Sequence, residues 1–152
     1  MKRNRNLCEL FAATVIWVLI IGMLAPIVAT SLMNPSASLA AAPNQPTNLA
    51  PADGTTDVSL TPTLEASAFS DGDGNTHYAS QWQITTTPGD YGSPVFDSGL
   101  DKSSLTSITV PAGALSENTT YYWHVRYQDS YGNWSSYSAE TSFTTATSGA
   151  PD

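Results

Sequence analysis

One cysteine in 152 residues excludes an intramolecular disulfide and any cysteine-cluster metal site, and two histidines leave little material for a histidine-rich one. Basic residues are also scarce. Lys and Arg total 5 against 13 Asp and Glu, and only Lys102 and Arg126 lie beyond residue 5. With a sequence pI near 4.3, this argues against nucleic acid as a partner, because phosphates demand clustered Lys and Arg. No Gly-rich phosphate-cradling segment precedes a helix pattern. What is abundant is Ser and Thr, 19 of each and together a quarter of the chain, beside ten Gly and ten Pro. That is the composition of many short strands joined by turns, not of coiled coils or long helical repeats. A hydrophobic core must hold such a domain.

Charge divides the molecule. Lys2, Arg3 and Arg5 stand before an uncharged run from Leu10 to Ala29, followed by small residues through Ala42. A basic start, an apolar stretch and a small-residue Ser38-Leu39-Ala40 site predict a secretory signal peptide cleaved after Ala40. The apolar stretch exceeds the roughly 7–15 residues of an ordinary signal core and approaches the roughly 20 that span a bilayer. An uncleaved hydrophobic helix, anchored with its amino terminus inside, is therefore the alternative over residues 1–40. Cys8 precedes the apolar run, so it does not resemble a lipoprotein acceptor and reads as a small apolar side chain at the membrane boundary. In both versions the rest of the chain is extracytoplasmic, either secreted or held to the membrane by its amino-terminal segment.

Removing 40 of 152 residues leaves 112, one domain of ordinary size. Beyond position 40 two basic residues face twelve acidic ones, a formal charge of −10, whose usual meaning is solubility. Residues 41–48 read as a Pro-rich linker, 49–145 as the folded domain and 146–152 as a small-residue tail. No internal repeat is visible.

Periodicity makes the domain all-β. In Val58-Ser59-Leu60-Thr61-Pro62-Thr63-Leu64-Glu65-Ala66-Ser67-Ala68 the even positions are apolar and the odd ones polar, the period of two of a half-buried strand. Pro62 cannot donate to a ladder, so the run splits there or lies at an edge. Beyond the turn Ser70-Asp71-Gly72-Asp73-Gly74-Asn75, the alternation of Gln81 to Thr85 turns Trp82 and Ile84 inward. Short strands follow at Pro94–Ser98 and Leu105–Val110. In Tyr121-Tyr122-Trp123-His124-Val125-Arg126-Tyr127-Gln128 every odd residue is large and apolar, while His124, Arg126 and Gln128 take the other face. A last strand is predicted over Tyr137–Thr145, with Phe143 inward. About seven short strands and no helix in the domain predict an immunoglobulin-like antiparallel β-sandwich.

The segment Leu115-Ser116-Glu117-Asn118-Thr119-Thr120-Tyr121, followed by Trp123 and Val125, resembles the E–F corner and F strand of fibronectin type III domains, in which a leucine precedes the corner tyrosine. Pro46 to Pro51, the inward Trp82, Val95-Phe96-Asp97-Ser98-Gly99 and Tyr127 to Ser135 are similar to domains of this type in bacterial secreted and cell-surface proteins. The resemblance covers roughly residues 44 to 145. A tyrosine at Tyr121 can bury its ring and return its hydroxyl to upstream backbone, pinning the crossover between sheets. Leu115, Trp82 and Trp123 read as core.

Catalysis finds little support in these residues. A nucleophile needs a base in reach and a group to orient it, whereas His124 falls on an outer face and His77 follows an acidic turn. Asp71 and Asp73, on one tight turn, cannot oppose each other across a substrate bond. The loops offer more. Asp71, Asp73 and Asn75 place oxygen side chains at alternate positions, a partial calcium-loop spacing, or are simply the residues that turns require. The B–C and F–G loops of such sandwiches share one end, which brings Asp129 near them as a further ligand. Tyr131, Trp134 and Tyr137 are candidate sugar- or protein-binding aromatics, with packing of Trp134 over the sandwich end as the alternative. The sequence thus predicts a noncatalytic extracytoplasmic fibronectin type III-like module, a spacer or an interaction domain for a protein or cell-surface polysaccharide. The alternative is a calcium- or carbohydrate-binding module. No cofactor beyond calcium is expected, and membrane contact comes only through an uncleaved amino-terminal segment.

Overall fold

The computed structural model describes residues 40–147; the expected leader helix, apart from Ala40, and the tail beyond 147 lie outside the described residues. Eight strands form: β1 (Asn48–Ala50), β2 (Thr55–Val58), β3 (Thr63–Ala66), β4 (His77–Thr85), β5 (Phe96–Asp97), β6 (Ser107–Thr109), β7 (Thr120–Asp129) and β8 (Thr141–Thr145). They make a three-stranded sheet in the order β1-β3-β6 and a five-stranded sheet in the order β2-β8-β7-β4-β5. The domain is an all-β, immunoglobulin-like sandwich with no helix among the described residues.

The alternating run from Val58 to Ala68 breaks at Pro62, as its missing N–H requires. The Pro62 carbonyl still accepts the N–H of Val110 at 2.9 Å. Two features depart from the expected seven antiparallel strands. An additional edge strand, β1, pairs antiparallel with β3 at Asn48↔Ala66. The chain then crosses to the other sheet, where β2 runs parallel to β8 at Thr55↔Phe143. Alternation tells which side chains face inward, but it carries no information about which sheet an edge segment joins. The stretch expected as a linker is bonded to the sandwich. Pro43 and Pro46 are buried, Asn44 N–H donates to Ser70 O at 2.9 Å, and Thr47 O accepts from Ser67 N–H at 2.9 Å.

The core rests on the long antiparallel pair β4–β7, in which Trp82 lies opposite Val125 and Ile84 opposite Trp123. Trp82, Ile84, Trp123, Val125 and Tyr127 are each 0% exposed, and Leu64 and Val110 meet them equally buried. The two indoles stack at 6.1 Å between centroids and 22° between planes. Trp82 Nε1 donates to Ser104 O at 2.9 Å, so its polar edge is satisfied inside the core. At the E–F corner Tyr121 packs its ring on Phe143, 5.7 Å away. Its hydroxyl accepts the Ser116 N–H at 2.8 Å, and Leu115 is buried beside it.

Two consequences are measurable by urea denaturation. Trp82→Ala should cost about 3–5 kcal/mol as a large core truncation. Tyr121→Phe should cost less, about 1–3 kcal/mol, by leaving the Ser116 N–H without its acceptor. A neutral Trp82→Ala would contradict the core described here.

Candidate functional site

At one end of the sandwich the expected calcium quartet shares a location but no common centre. Asp71 Oδ1 accepts the backbone N–H groups of Asp73 at 2.8 Å and Asn75 at 3.4 Å, the arrangement of an Asx turn. Asp73 Oδ2 accepts the N–H of Ala41 at 2.6 Å. Asp129 is fully buried at the end of β7. Its Oδ1 accepts the N–H groups of Tyr131 and Asn133, both at 2.8 Å, and its Oδ2 accepts Asn133 Nδ2 at 3.0 Å. Asn75 reaches Asp129 Oδ2 at 3.5 Å through its amide nitrogen, not its oxygen. Burial pushes the Asp129 carboxyl up, but the hydrogen bonds from Asn133 and from the backbone of Tyr131 and Gly132 outweigh it and hold the group below the usual carboxylate range. Among the described residues no three of His, Cys, Asp and Glu converge as a metal site. Asp71 Oδ1 and both oxygens of Asp129 organise the two turns and join them, while Asp71 Oδ2 is buried without a partner.

The three candidate ligand-binding aromatics separate. Tyr131 stands alone at the tip of the β7–β8 connection, 74% exposed. Trp134 and Tyr137 instead lie over the outer face of the five-stranded sheet, in a column of planar groups. Tyr91 stacks on His124 at 3.5 Å and His124 on Tyr137 at 3.8 Å. The Arg126 guanidinium then lies 4.7 Å from the Tyr137 ring and 4.4 Å from that of Trp134. Gln81 Oε1 takes Arg126 Nη2 at 2.7 Å, Arg126 Nε at 3.0 Å and the Tyr137 hydroxyl at 3.0 Å. Gln81 and Gln83 both donate their amides to Asp97, and His124 Nε2 meets Gln83 Oε1 at 2.8 Å. Glu140 Oε2 closes the Tyr91 end by accepting its hydroxyl at 2.8 Å and Gly89 N–H at 2.9 Å.

The segment Trp134-Ser135-Ser136-Tyr137-Ser138 explains how two of these rings arrive there. Ser135 and Ser138 bond Tyr127 and Val125 of β7 through both their backbone N–H groups, at 2.8 Å, and their hydroxyls, at 3.0 Å. Inward serines three residues apart leave Trp134 and Tyr137, also three apart, on the outer side. This spacing of three, not two, is why the predicted strand over Tyr137–Thr145 begins only at Thr141. The W-S-S-Y-S pattern beside an outward Arg126 is a signal that reading for alternation passed over. Nothing in the sequence points to Tyr91 or Glu140, which the fold brings in from other segments.

Neither histidine is placed as a general base. His124 is held by Gln83 between two rings, and its pKa is lowered to about 4: burial is the main cause, Glu140 opposes it, Arg126 adds to it and Asp97 opposes. His77 stacks on Phe69, lies tilted against Tyr127 and meets Ser80 Oγ at 3.0 Å, but that hydroxyl donates to Leu105 O and Ser80 is 0% exposed. A substrate cannot reach this Ser–His pair.

Residues 62–149, more than half the chain, match the family of Rha78A-like N-terminal immunoglobulin domains. The chain belongs to that family. Similar solved structures include the α-L-rhamnosidase of Dictyoglumus thermophilum, at 20% identity and TM-score 0.57, covering 70% of this chain but 12% of that one. The α-L-rhamnosidase of Streptomyces avermitilis, complexed with L-rhamnose, gives 20% identity and TM-score 0.53 over 69% of this chain and 10% of that one. The fibronectin(III)-like modules of Clostridium thermocellum CbhA give 13% identity and TM-score 0.50 over 71% and 48% of the two chains. These likenesses show a shared immunoglobulin and fibronectin type III-like fold. No curated protein matches the chain by sequence.

The two polar sites should separate in a pH series of urea melts. His124 resists protonation in the folded state, so stability is full above about pH 6.5 and falls as pH drops toward about 4; His124→Gln should flatten that limb. The depressed Asp129 carboxyl contributes stability above about pH 4 that is lost as pH falls through its folded pKa. Asp129→Asn should cost on the order of 2–3 kcal/mol at pH 7 by removing a charged acceptor, and its deficit should shrink in acid.

Proposed function

We propose that this immunoglobulin-like domain is a noncatalytic, extracytoplasmic accessory module, a rigid spacer or a docking domain for a protein or cell-surface polysaccharide. The observation that carries the reading is the use of functional side chains within the domain. Arg126, His124, Trp134 and Tyr137 spend their charge and ring faces on one another, and the buried Ser80 beside His77 is closed to substrate. The rhamnosidase neighbours support it, since the likeness spans 12% and 10% of those chains, the extent of an appended domain. Export fits the basic amino-terminal residues followed by an apolar run.

The test is a panel on the protein recovered from an exporting cell: hydrolysis of an aryl α-L-rhamnoside, retention on insoluble polysaccharides and cell envelopes, and a millimolar calcium titration of its melting. The expected outcome is no hydrolysis above buffer and no calcium-dependent shift. Retention on polysaccharide that falls with Tyr131→Ala would favour docking over spacing, and rhamnoside turnover would overturn the noncatalytic reading.

A further inference from the structure

The residue that would follow a leader cleavage is already seated against the acidic end of the domain. Ala41 N–H donates to Asp73 Oδ2 at 2.6 Å, and Ala40 O accepts from Asn133 Nδ2 at 3.2 Å. The following residues hold this position. Asn44 bonds Ser70 through its backbone N–H and through Nδ2, both at 2.9 Å, and Pro43 and Pro46 are buried. Ser70 directly precedes Asp71, so the strap is fastened to the base of the loop that carries Asp73.

The charge balance around this contact is one-sided. Asp71, Asp73 and Asp129 supply three carboxylates to this end, and Asp71 Oδ2 is buried without a partner. The domain's two basic side chains are engaged elsewhere: Lys102 over the Tyr78 ring at 4.2 Å and Arg126 between Tyr137 and Trp134. One more cation becomes available if water hydrolyses the Ala40–Ala41 peptide bond. The carboxylate then leaves on Ala40, and the new Ala41 amine, with an ordinary pKa of about 7.7–8.0, takes a proton at pH 7.

We propose that leader removal after Ala40 converts the Ala41 N–H into an α-ammonium that pairs with Asp73, so that the acidic loop end is the receptor for the mature amino terminus. The proposal rests on the export reading above. A neutral amide donor becomes a charged one at the same carboxylate, and such charge-assisted bonds are stronger and shorter than neutral ones. Maturation thereby gives up the Ala40 O contact with Asn133 and strengthens the one between Ala41 and Asp73 at the start of a strap already held by Asn44.

The experiment expresses the full gene in an exporting cell with either Asp73 or Asp73→Asn, each also with one Gly inserted between Ala40 and Ala41. The insertion leaves the Ala41 N–H as an amide and moves the ammonium about 3.8 Å along the chain. Masses of the recovered proteins should begin at Ala41 and at the inserted Gly. Asp73→Asn should lower the melting temperature by about 2–4 °C with the native terminus, the size expected of an exposed ion pair, and by under about 1 °C with the extended one. Equal losses in the two backgrounds, or a mature terminus other than Ala41, would overturn the pairing while the accessory-module reading stands. An intact Met1 in the membrane fraction would do the same. Folded protein retained in the cytoplasm would overturn both.

Discussion

The antiparallel register of β4 against β7 is the constraint on which both layers of this domain depend. It sets Trp82 opposite Val125 and Ile84 opposite Trp123 on the inner face. On the outer face the same register sets Gln81 opposite Arg126 and Gln83 opposite His124. Because side chains alternate with a period of two, a slip of β7 by one residue would put the Trp123 indole in solvent and the Arg126 guanidinium in the core. The core and the outer column are therefore two products of one pairing, and neither can be changed in register without the other.

The outer column is held by a polar network that is nearly complete. Gln81 accepts from Arg126 and Tyr137 and donates to Asp97, while Gln83 links Asp97 to His124. Half-buried polar groups of this kind are tolerable only when satisfied, and a satisfied network specifies one arrangement. Here it fixes the segment carrying Trp134 and Tyr137 and the loop carrying Tyr91 onto the sheet. The result is that this part of the outer face is covered by the domain's own side chains.

The opposite problem arises at the loop end, where carboxylates outnumber cations in a domain of charge −10 beyond position 40. Asp129 solves its part by burial among N–H donors, and Asp71 by capping its own turn. Asp73, on the surface, meets the start of the domain. Local turns thus engage Asp71 Oδ1 and both oxygens of Asp129 in hydrogen bonds, while the net negative charge of this end remains.

The sequence by itself determined the sandwich. A strict alternation in Tyr121–Gln128, the break at Pro62 and the Leu115–Tyr121 spacing report which side chains leave water, and burial of apolar surface is the dominant favourable term in folding. It also marked Asp71, Asp73, Asn75 and Asp129 as neighbours, because the topology of such a sandwich puts their loops at one end. What only the tertiary structure decided is how those polar groups are used. Whether Asn75 turns its oxygen or its nitrogen to Asp129, whether Trp134 keeps a ring face free or gives it to Arg126, and whether β2 joins one sheet or the other depend on partners distant in the chain. Tyr91 meets the column from a segment whose own sequence carries no periodicity, and Glu140 closes its far end from just before β8. Hydrophobic pattern is a local property that repeats along a strand, whereas hydrogen-bond and cation–π partners are single, directional and long-range.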